Sequence, residues 1–501
     1  MQSKRDQVEA HVFMMSRLTS GMLLTDPDAP DSPAGRTSRG AAWGLLLGAL
    51  AAAGCVLFGL MSPGGDDSWK SAGAVIVRKD TGTRYMYQDG TLRPILNYAS
   101  ARLIGGADLS TKLVSGASLR GTPHGEAVGI PGAPDDLPTA GDVNSGPWLV
   151  CSGLVIGDKG TPSATTALVI GSRPATTDGL TTREALLVAA PGGDRYLIWR
   201  GRRLPVDIQH GADRALGYSD ATPRPVSAEF LNTLPLGPEL SPVDVPGRGA
   251  AGPSLDGRST RTGQVFTVRV PDSPVRYYLL AARGLVPVSG TEAALVLGDP
   301  RTREDSYAGK RPAPVALATD TVHDHLAPSG TMPGTSLAWP SGPPRLVEPE
   351  QRQNLCASIR PGKKGPVTSV STVSSLSAAP AAATDAVQPA CSPVDAIAVR
   401  PGAGAVVRAL SASGGQLGDT TYLVTEAGVK YRMVSDDSIA ALGYDGTEPA
   451  GLPAALLAML PTGPDLDPAA ASGSAPARST DVGGCKAGTS KRGAEKAPAT
   501  N

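Results

Sequence analysis

One transmembrane helix leading into a mainly β, α+β domain outside the membrane, built from four repeat units, is the fold class that this sequence predicts. Three observations carry it. An uncharged apolar run of 21 residues lies near the start, a block of residues recurs at a fixed offset far downstream, and glycine (61) with proline (46) makes up about a fifth of the 501 residues.

The apolar run is Ala41 to Met61, and about 20 apolar residues are needed to carry a helix across the hydrocarbon core. Its glycines would weaken a helix in water but are tolerated in a membrane span, where the backbone must satisfy its own hydrogen bonds. A cleaved signal peptide has a shorter apolar region behind a brief basic start, whereas some 40 largely polar residues come first here. Arg36 and Arg39 precede the run, with Lys4, Arg5 and Arg17 upstream, while Asp66 and Asp67 follow it. The positive-inside rule therefore predicts a single-pass plasma-membrane protein with residues 1–40 cytoplasmic and the C-terminal domain extracytoplasmic.

Within the cytoplasmic part, Ser3 and Asp6 form a capping pattern ahead of Val8, Val12, Met15, Leu18 and Met22. Spacings of three and four predict an amphipathic helix of about 20 residues, too small to fold alone. Its polar face mixes acids and bases, which favours docking on a protein partner over lying on the bilayer. Asp26-Pro27-Asp28-Ala29-Pro30-Asp31-Ser32-Pro33 then reads as a stiff extended connector.

Beyond the membrane, the duplication sets the architecture. Leu216-Gly217-Tyr218 recurs as Leu442-Gly443-Tyr444, and Leu234-Pro235-x-Gly237-Pro238 recurs as Leu460-Pro461-x-Gly463-Pro464, each 226 positions later. Both copies follow strand-like runs with a basic-Tyr pair, Arg195-Tyr196 and Lys430-Tyr431. The expected unit is two strands joined by a glycine turn, a loop, and a short helix from Pro225 or Leu452 onward that ends at Leu-Pro. Weaker versions hold Arg84-Tyr85 and Arg276-Tyr277. In each pair the tyrosine is expected on the buried face of a strand and the basic residue in solvent. Units this small must pack on each other or on a shared core.

The resulting division is 62–109 for the first repeat, 110–185 for a first central part, 186–245 and 260–300 for the second and third repeats, 301–410 for a second central part, and 411–470 for the fourth repeat. Residues 363–390 are Ser/Thr/Ala/Pro-rich and 471–501 have few large apolar residues, so both are expected to be flexible or disordered.

Chemistry is sparse. A net charge of zero gives no electrostatic reason to expect nucleic acid. The phosphate-loop pattern GxxxxGK followed by Ser or Thr is absent, because Gly362-Lys363-Lys364 lacks its flanking residues, and no GxSxG elbow occurs. His323-Asp324-His325 is the one histidine cluster and reads as a solvated polar turn, since no third ligand stands by. The expectation is no catalytic, cofactor-binding or metal-binding residues. Of the five cysteines, Cys55 lies in the membrane run, and Cys151, Cys356, Cys391 and Cys485 form an even set in an oxidising compartment. They permit two disulfides in three connectivities.

The block Ser3-Lys4-Arg5-Asp6-Gln7-Val8-Glu9-Ala10-His11, the Asp-Pro-Asp-Ala-Pro connector, Gly82-Thr83-Arg84-Tyr85, the run Leu96 to Leu103, Gly129-Ile130-Pro131-Gly132-Ala133-Pro134-Asp135 and the Leu-Pro-x-Gly-Pro motif resemble the EccB family of actinobacterial type VII (ESX) secretion systems. The resemblance spans residues 3 to about 470. It implies a β-rich periplasmic domain whose repeats are arranged with quasi-two-fold symmetry about a central domain. It also implies assembly with EccC, EccD, EccE and other EccB copies into a hexameric membrane complex, with the mycosin protease as a further candidate partner. The family's disulfide falls on Cys151 and Cys356, leaving Cys391 and Cys485 as candidates for a second. Some members are described as ATPases. The implied function is a structural subunit that mediates assembly and stabilises the export channel; the alternatives are an ATP hydrolase component and a cell-wall-binding repeat protein.

Overall fold

The computed structural model describes residues 3–24, 33–61, 67–70, 73–144, 146–157, 160–172, 176–329, 339–362, 365–376, 379–380, 387–411 and 414–479. They divide into two compact units, residues 1–92 with 111–123, and residues 93–110 with 124–501.

The first unit opens with the helix Lys4–Leu24, closed at its start by a reciprocal cap. The Ser3 N–H donates to Asp6 Oδ2 at 2.9 Å and the Asp6 N–H to Ser3 Oγ at 3.4 Å. The second helix is Pro33–Met61, of which Thr37–Phe58, with mean hydropathy 2.1, is long and apolar enough to cross a membrane. Next comes a sheet of Ala74–Arg78, Arg84–Gln88, Thr91–Pro94 and Ser110–Val114. Trp69, Ile76, Tyr85, Leu92, Val114 and Leu119 form its core, and the rings of Trp69 and Tyr87 meet edge to face at 5.4 Å.

The second unit is organised about a seven-stranded sheet. Its middle is an antiparallel pair, Trp148–Ile156 and Asn354–Arg360, flanked by Pro162–Ile170 and Val367–Val373. Ala396–Val399 with Ala379–Pro380, and Thr176–Gly179, complete its two sides. One face carries Trp148, Val150, Leu168, Leu355, Ala357 and Ile359, and this face is buried against two smaller sheets. One of these contains Glu184–Ala189, Arg195–Trp199, Arg202–Pro205 and Arg224–Pro225, with Arg345–Leu346 also on its first strand; the other contains Ala405–Leu410, Gln416–Val424, Lys430–Met433 and Ala450–Pro453. A further sheet comprises Val265–Val268, Arg276–Ala281, Gly284–Val288 and Val315–Ala316.

The four smaller sheets share one strand order: a three-strand meander whose first strand also pairs with a later strand. In the second-unit sheets that late pairing is parallel. A parallel neighbour needs a crossover, and helices lie in these crossovers. Gly290–Gly298 and Ala212–Ala215 come together where Gly298 leaves no room for a Cβ against Ala215. Tyr98–Gly105 likewise packs against Asp436–Leu442, where Arg102 Nη2 donates to the Leu442 carbonyl at 2.9 Å.

Several expected boundaries move. Ser110–Val114 belongs to the first sheet, so that repeat extends beyond residue 109; Val315–Ala316 carries the third beyond 300; and Ala405–Leu410 opens the fourth before 411. A closing strand of two to five residues reached through a helix leaves no periodic trace in the sequence. Pro225 and Leu452 lie in such strands, and the helices begin later, at Ala228 behind the Ser227 cap and at Ala454. The expected flexible stretch 363–390 contains the strand Val367–Val373, hydrogen-bonded on both sides. Its two buried valines face opposite sides of the sheet, Val370 with Ala357 and Ile359 and Val373 with Cys151 and Cys356, so its serines and threonines are carried between two packed faces. The tail expected from 471 is held to 479: Pro468–Ser472 is helical, and the Asp465 N–H donates to the Arg478 carbonyl at 2.7 Å. Residues 25–32, which hold most of the connector, and 480–501, which include Cys485, lie outside the described residues.

At the end of the helix Gly290–Gly298, Asp299 is buried between Arg248 Nη1 at 2.7 Å and Arg301 Nη2 at 3.0 Å. Burial pushes its pKa up, but hydrogen bonds from Arg301 and the charges of Arg248 and Arg301 outweigh it and hold the carboxyl below its ordinary value. A lowered carboxylate stabilises the fold fully above its unfolded value near 4, and this is lost as the pH falls through the lowered one. Asp299→Asn should therefore cost about 3 kcal/mol at pH 7 by leaving a buried arginine unpaired. Thermal melting at pH 7 and 3 checks this, since the substitution should also remove part of the wild-type protein's acid sensitivity.

Candidate assembly site: the duplicated motif and the central cross-link

The duplicated residues close the open edges of two sheets. In the second sheet, the Arg203 N–H donates to the Pro235 carbonyl at 3.0 Å and the Gly237 N–H to the Arg203 carbonyl at 2.8 Å. The Leu240 N–H then donates to the Pro205 carbonyl at 2.7 Å. The fourth sheet repeats the pattern: Lys430 N–H to Pro461 carbonyl at 2.9 Å, Gly463 N–H to Lys430 carbonyl at 2.9 Å, and Leu466 N–H to Arg432 carbonyl at 2.7 Å. An unpaired edge strand is a template for unwanted pairing, and the Leu-Pro-x-Gly-Pro segment occupies it. Glycine is required because a Cβ on Gly463 would enter the Tyr431 ring and one on Gly237 would enter Leu204. Leu234 and Leu460 are buried in the core beneath, while Pro238 is half-buried and Pro464 buried.

Leu216-Gly217-Tyr218 and Leu442-Gly443-Tyr444 end the crossover helices. Gly217 and Gly443 are left-handed, with φ of 81° and 85°, a conformation that costs glycine little. Leu216 and Leu442 are buried. The Tyr218 hydroxyl donates to the Pro344 carbonyl at 2.8 Å and the Tyr444 hydroxyl to the Pro138 carbonyl at 2.6 Å. Both tyrosines thus tie a distant loop to the repeat, and burial raises both phenol pKa values. Burial also pushes Tyr431 up to about 12.

The expected alternation of buried tyrosine and solvated base fails at Lys430, which is 0% exposed. Its ammonium donates to the Leu457 carbonyl at 2.8 Å and the Leu460 carbonyl at 3.0 Å, at the C-terminal end of helix Ala454–Leu457. Orphan carbonyls and the negative end of the helix provide what water otherwise would. The dipeptide Lys-Tyr carries no sign of this.

At the centre, Cys151 and Cys356 face each other across the two middle strands and are joined by a disulfide, both fully buried. Nothing local in the sequence marks two further residues that hold these strands. Arg224 donates to the carbonyls of Pro349, Glu350, Gln351 and Gln353, the loop that enters Asn354–Arg360. Burial lowers its pKa. Three residues on, the Ser227 N–H donates to Ser152 Oγ at 3.0 Å, beside Cys151. Cys391 is also disulfide-bonded, and Cys485 lies outside the described residues.

The helix Lys4–Leu24 has its apolar side chains in the open, including Val12 at 61% and Phe13 at 64% exposure. Phe13 and Met14 broaden the apolar face beyond the expected stripe. His323 and Asp324 end a short helix, Thr319–Asp324, instead of lying in a turn, and the His325 ring is hydrogen-bonded to Thr321.

The family model described as "Type VII secretion system ESX-1, transport TM domain B" matches residues 1–476. The chain is 29% identical over 484 residues to the ESX-3 secretion system ATPase EccB3 of Mycolicibacterium smegmatis, covering 92% of this chain and 89% of the relative. It is 27% identical over 476 residues to the ESX-1 secretion system ATPase EccB1 of Mycobacterium tuberculosis, covering 93% of each. A solved structure of an EccB3 dimer from the ESX-3 core complex matches with TM-score 0.63 and 26% identity over 80% of this chain and 99% of that one. A chain of an intact ESX-5 inner membrane complex shares the fold with TM-score 0.62 and 24% identity, over 94% of this chain and 95% of that one.

Two variants probe the site in urea unfolding of the full chain. Gly463→Ala should cost about 2 kcal/mol through overpacking against Tyr431. Replacing Cys151 and Cys356 together by alanine should cost about 5 kcal/mol, because the link closes a loop of 205 residues.

Proposed function

The chain belongs to the EccB family of type VII secretion systems, and on that premise we propose that it is a structural subunit of an ESX membrane complex. Residues 1–40 face the cytoplasm, residues 41–61 cross the plasma membrane, and the outer domain mediates assembly and stabilises the export channel. The basic residues before the span and the acidic ones after it support this orientation. One observation carries the structural reading: the sheets of the second unit are fastened by a buried cross-link, edge-closing motifs and tyrosine tethers. Such an arrangement supplies a rigid surface.

The proposed partners are EccC, EccD, EccE, other copies of this chain and, as a further candidate, the mycosin protease. The exposed apolar residues of Lys4–Leu24 support docking on a cytoplasmic protein partner. Four sheets of one strand order, with the second and fourth on the central sheet and helices of the other two repeats packed against theirs, support a quasi-two-fold arrangement of repeats. Cys391 and Cys485 are proposed as the second disulfide. The relatives' names favour a second reading, an ATP hydrolase.

Affinity purification of the full chain from its own membranes should recover the other subunits of the secretion complex, and its deletion should stop export. Val12→Asp with Phe13→Asp should leave the protein in the membrane but reduce subunit recovery at least about tenfold. Recovery of a lone protein with export intact contradicts the structural reading. ATP turnover by the purified chain that one point substitution abolishes supports the second.

A further inference from the structure

Leu236 and Thr462 hold the same place in the duplicated motif, yet the structure finishes only one of them. Thr462 is 0% exposed; its N–H donates to the Gln388 carbonyl at 2.9 Å and its carbonyl accepts from the Gln388 N–H at 2.8 Å. At Leu236 the side chain is 62% exposed, and among the described residues nothing bonds to its N–H or carbonyl. In both copies the flanking residues turn their polar groups inward to the edge strand: Pro235 and Gly237 to Arg203, Pro461 and Gly463 to Lys430. The middle residue's own N–H and carbonyl therefore point outward. Leu236 is an open ladder position beside an exposed apolar side chain, on an edge that the motif otherwise closes.

We propose that Leu236 is a contact point between two copies of this chain, each supplying the pair that the other lacks. This rests on the self-association proposed above. The internal counterpart defines the mode, since Gln388 and Thr462 form a one-residue antiparallel bridge. A bridge of that kind maps onto itself under a two-fold rotation, so the same residue serves on both sides. The Leu236 N–H of one copy donates to the carbonyl of the partner's Leu236, and the reverse bond completes the pair. Residues directly opposite in an antiparallel pair project to one face, so the two leucine side chains cover each other and leave water. Pro238, the next residue whose backbone would face outward, has no N–H, which limits continued strand addition in that direction. One bridge and two leucines are a small part of a stable interface, so they fix its register within a larger contact.

The test uses the full-length chain in detergent with Cys55→Ala to remove the free thiol. Light scattering should give a dimer, and Leu236→Cys should cross-link it on mild oxidation while Gln209→Cys, exposed elsewhere on the same sheet's loops, should not. Leu236→Asp should raise the dimer dissociation constant at least about tenfold, at an unchanged melting temperature. A dimer that Leu236→Cys fails to cross-link and Leu236→Asp fails to weaken overturns this contact while leaving self-association standing. A chain that is monomeric throughout overturns both.

Discussion

The antiparallel pairing of Trp148–Ile156 with Asn354–Arg360 is the constraint on which the second unit depends. Its two strands are some 200 residues apart in the chain, so their register must be set by contacts that no short loop can enforce. A slip of one residue would turn Leu355, Ala357 and Ile359 away from the shared core and remove Cys356 from its partner. Three devices hold it. The disulfide limits the unfolded chain, the core rewards one alternation of side chains, and Arg224 with Ser227 grips the entry of one strand and the middle of the other. Because the second and fourth sheets both bury their inner faces against this sheet, their placement follows from the same pairing.

The repeats solve a different difficulty. A three-strand meander leaves its last strand unpaired on one side, and each copy of Leu-Pro-x-Gly-Pro returns to occupy that side. The closing proline, Pro238 or Pro464, has no N–H to donate, the glycine permits close approach, and the leading leucine anchors the segment in the core. The two copies then diverge. Thr462 is covered by Gln388, with Ser479 bonded to the adjacent Gly463, whereas Leu236 faces solvent. A duplication that keeps its edge closure and loses its outer cover on one side gives the molecule two unlike surfaces from one motif.

Much of this was legible in the residues. The apolar run, the fixed spacing between the two motif copies and the mainly β character followed from length, recurrence and turn composition. The meaning of the motif was not legible, because edge closure pairs Pro235 with Arg203 and Pro461 with Lys430 across some 30 residues. Lys430 looked like a solvated base because its partners are backbone carbonyls, which every sequence has. The same reason hid Arg224. The strand Val367–Val373 was hidden by composition: serine and threonine at pleat positions look like a linker until two neighbouring strands satisfy the backbone. Closing strands as short as Val315–Ala316 pair through backbone groups alone, so the repeat boundaries drifted.

Native-state hydrogen exchange of the full chain tests most directly whether the second unit is one scaffold fastened at its middle strands. Amides of Trp148–Ile156 and Asn354–Arg360 that are bonded between the strands should be the slowest in the second unit. The second and fourth sheets should then open at the same free energy, as parts of one cooperative core. Fast exchange in the middle strands, with the two sheets protected to different extents, would contradict the account.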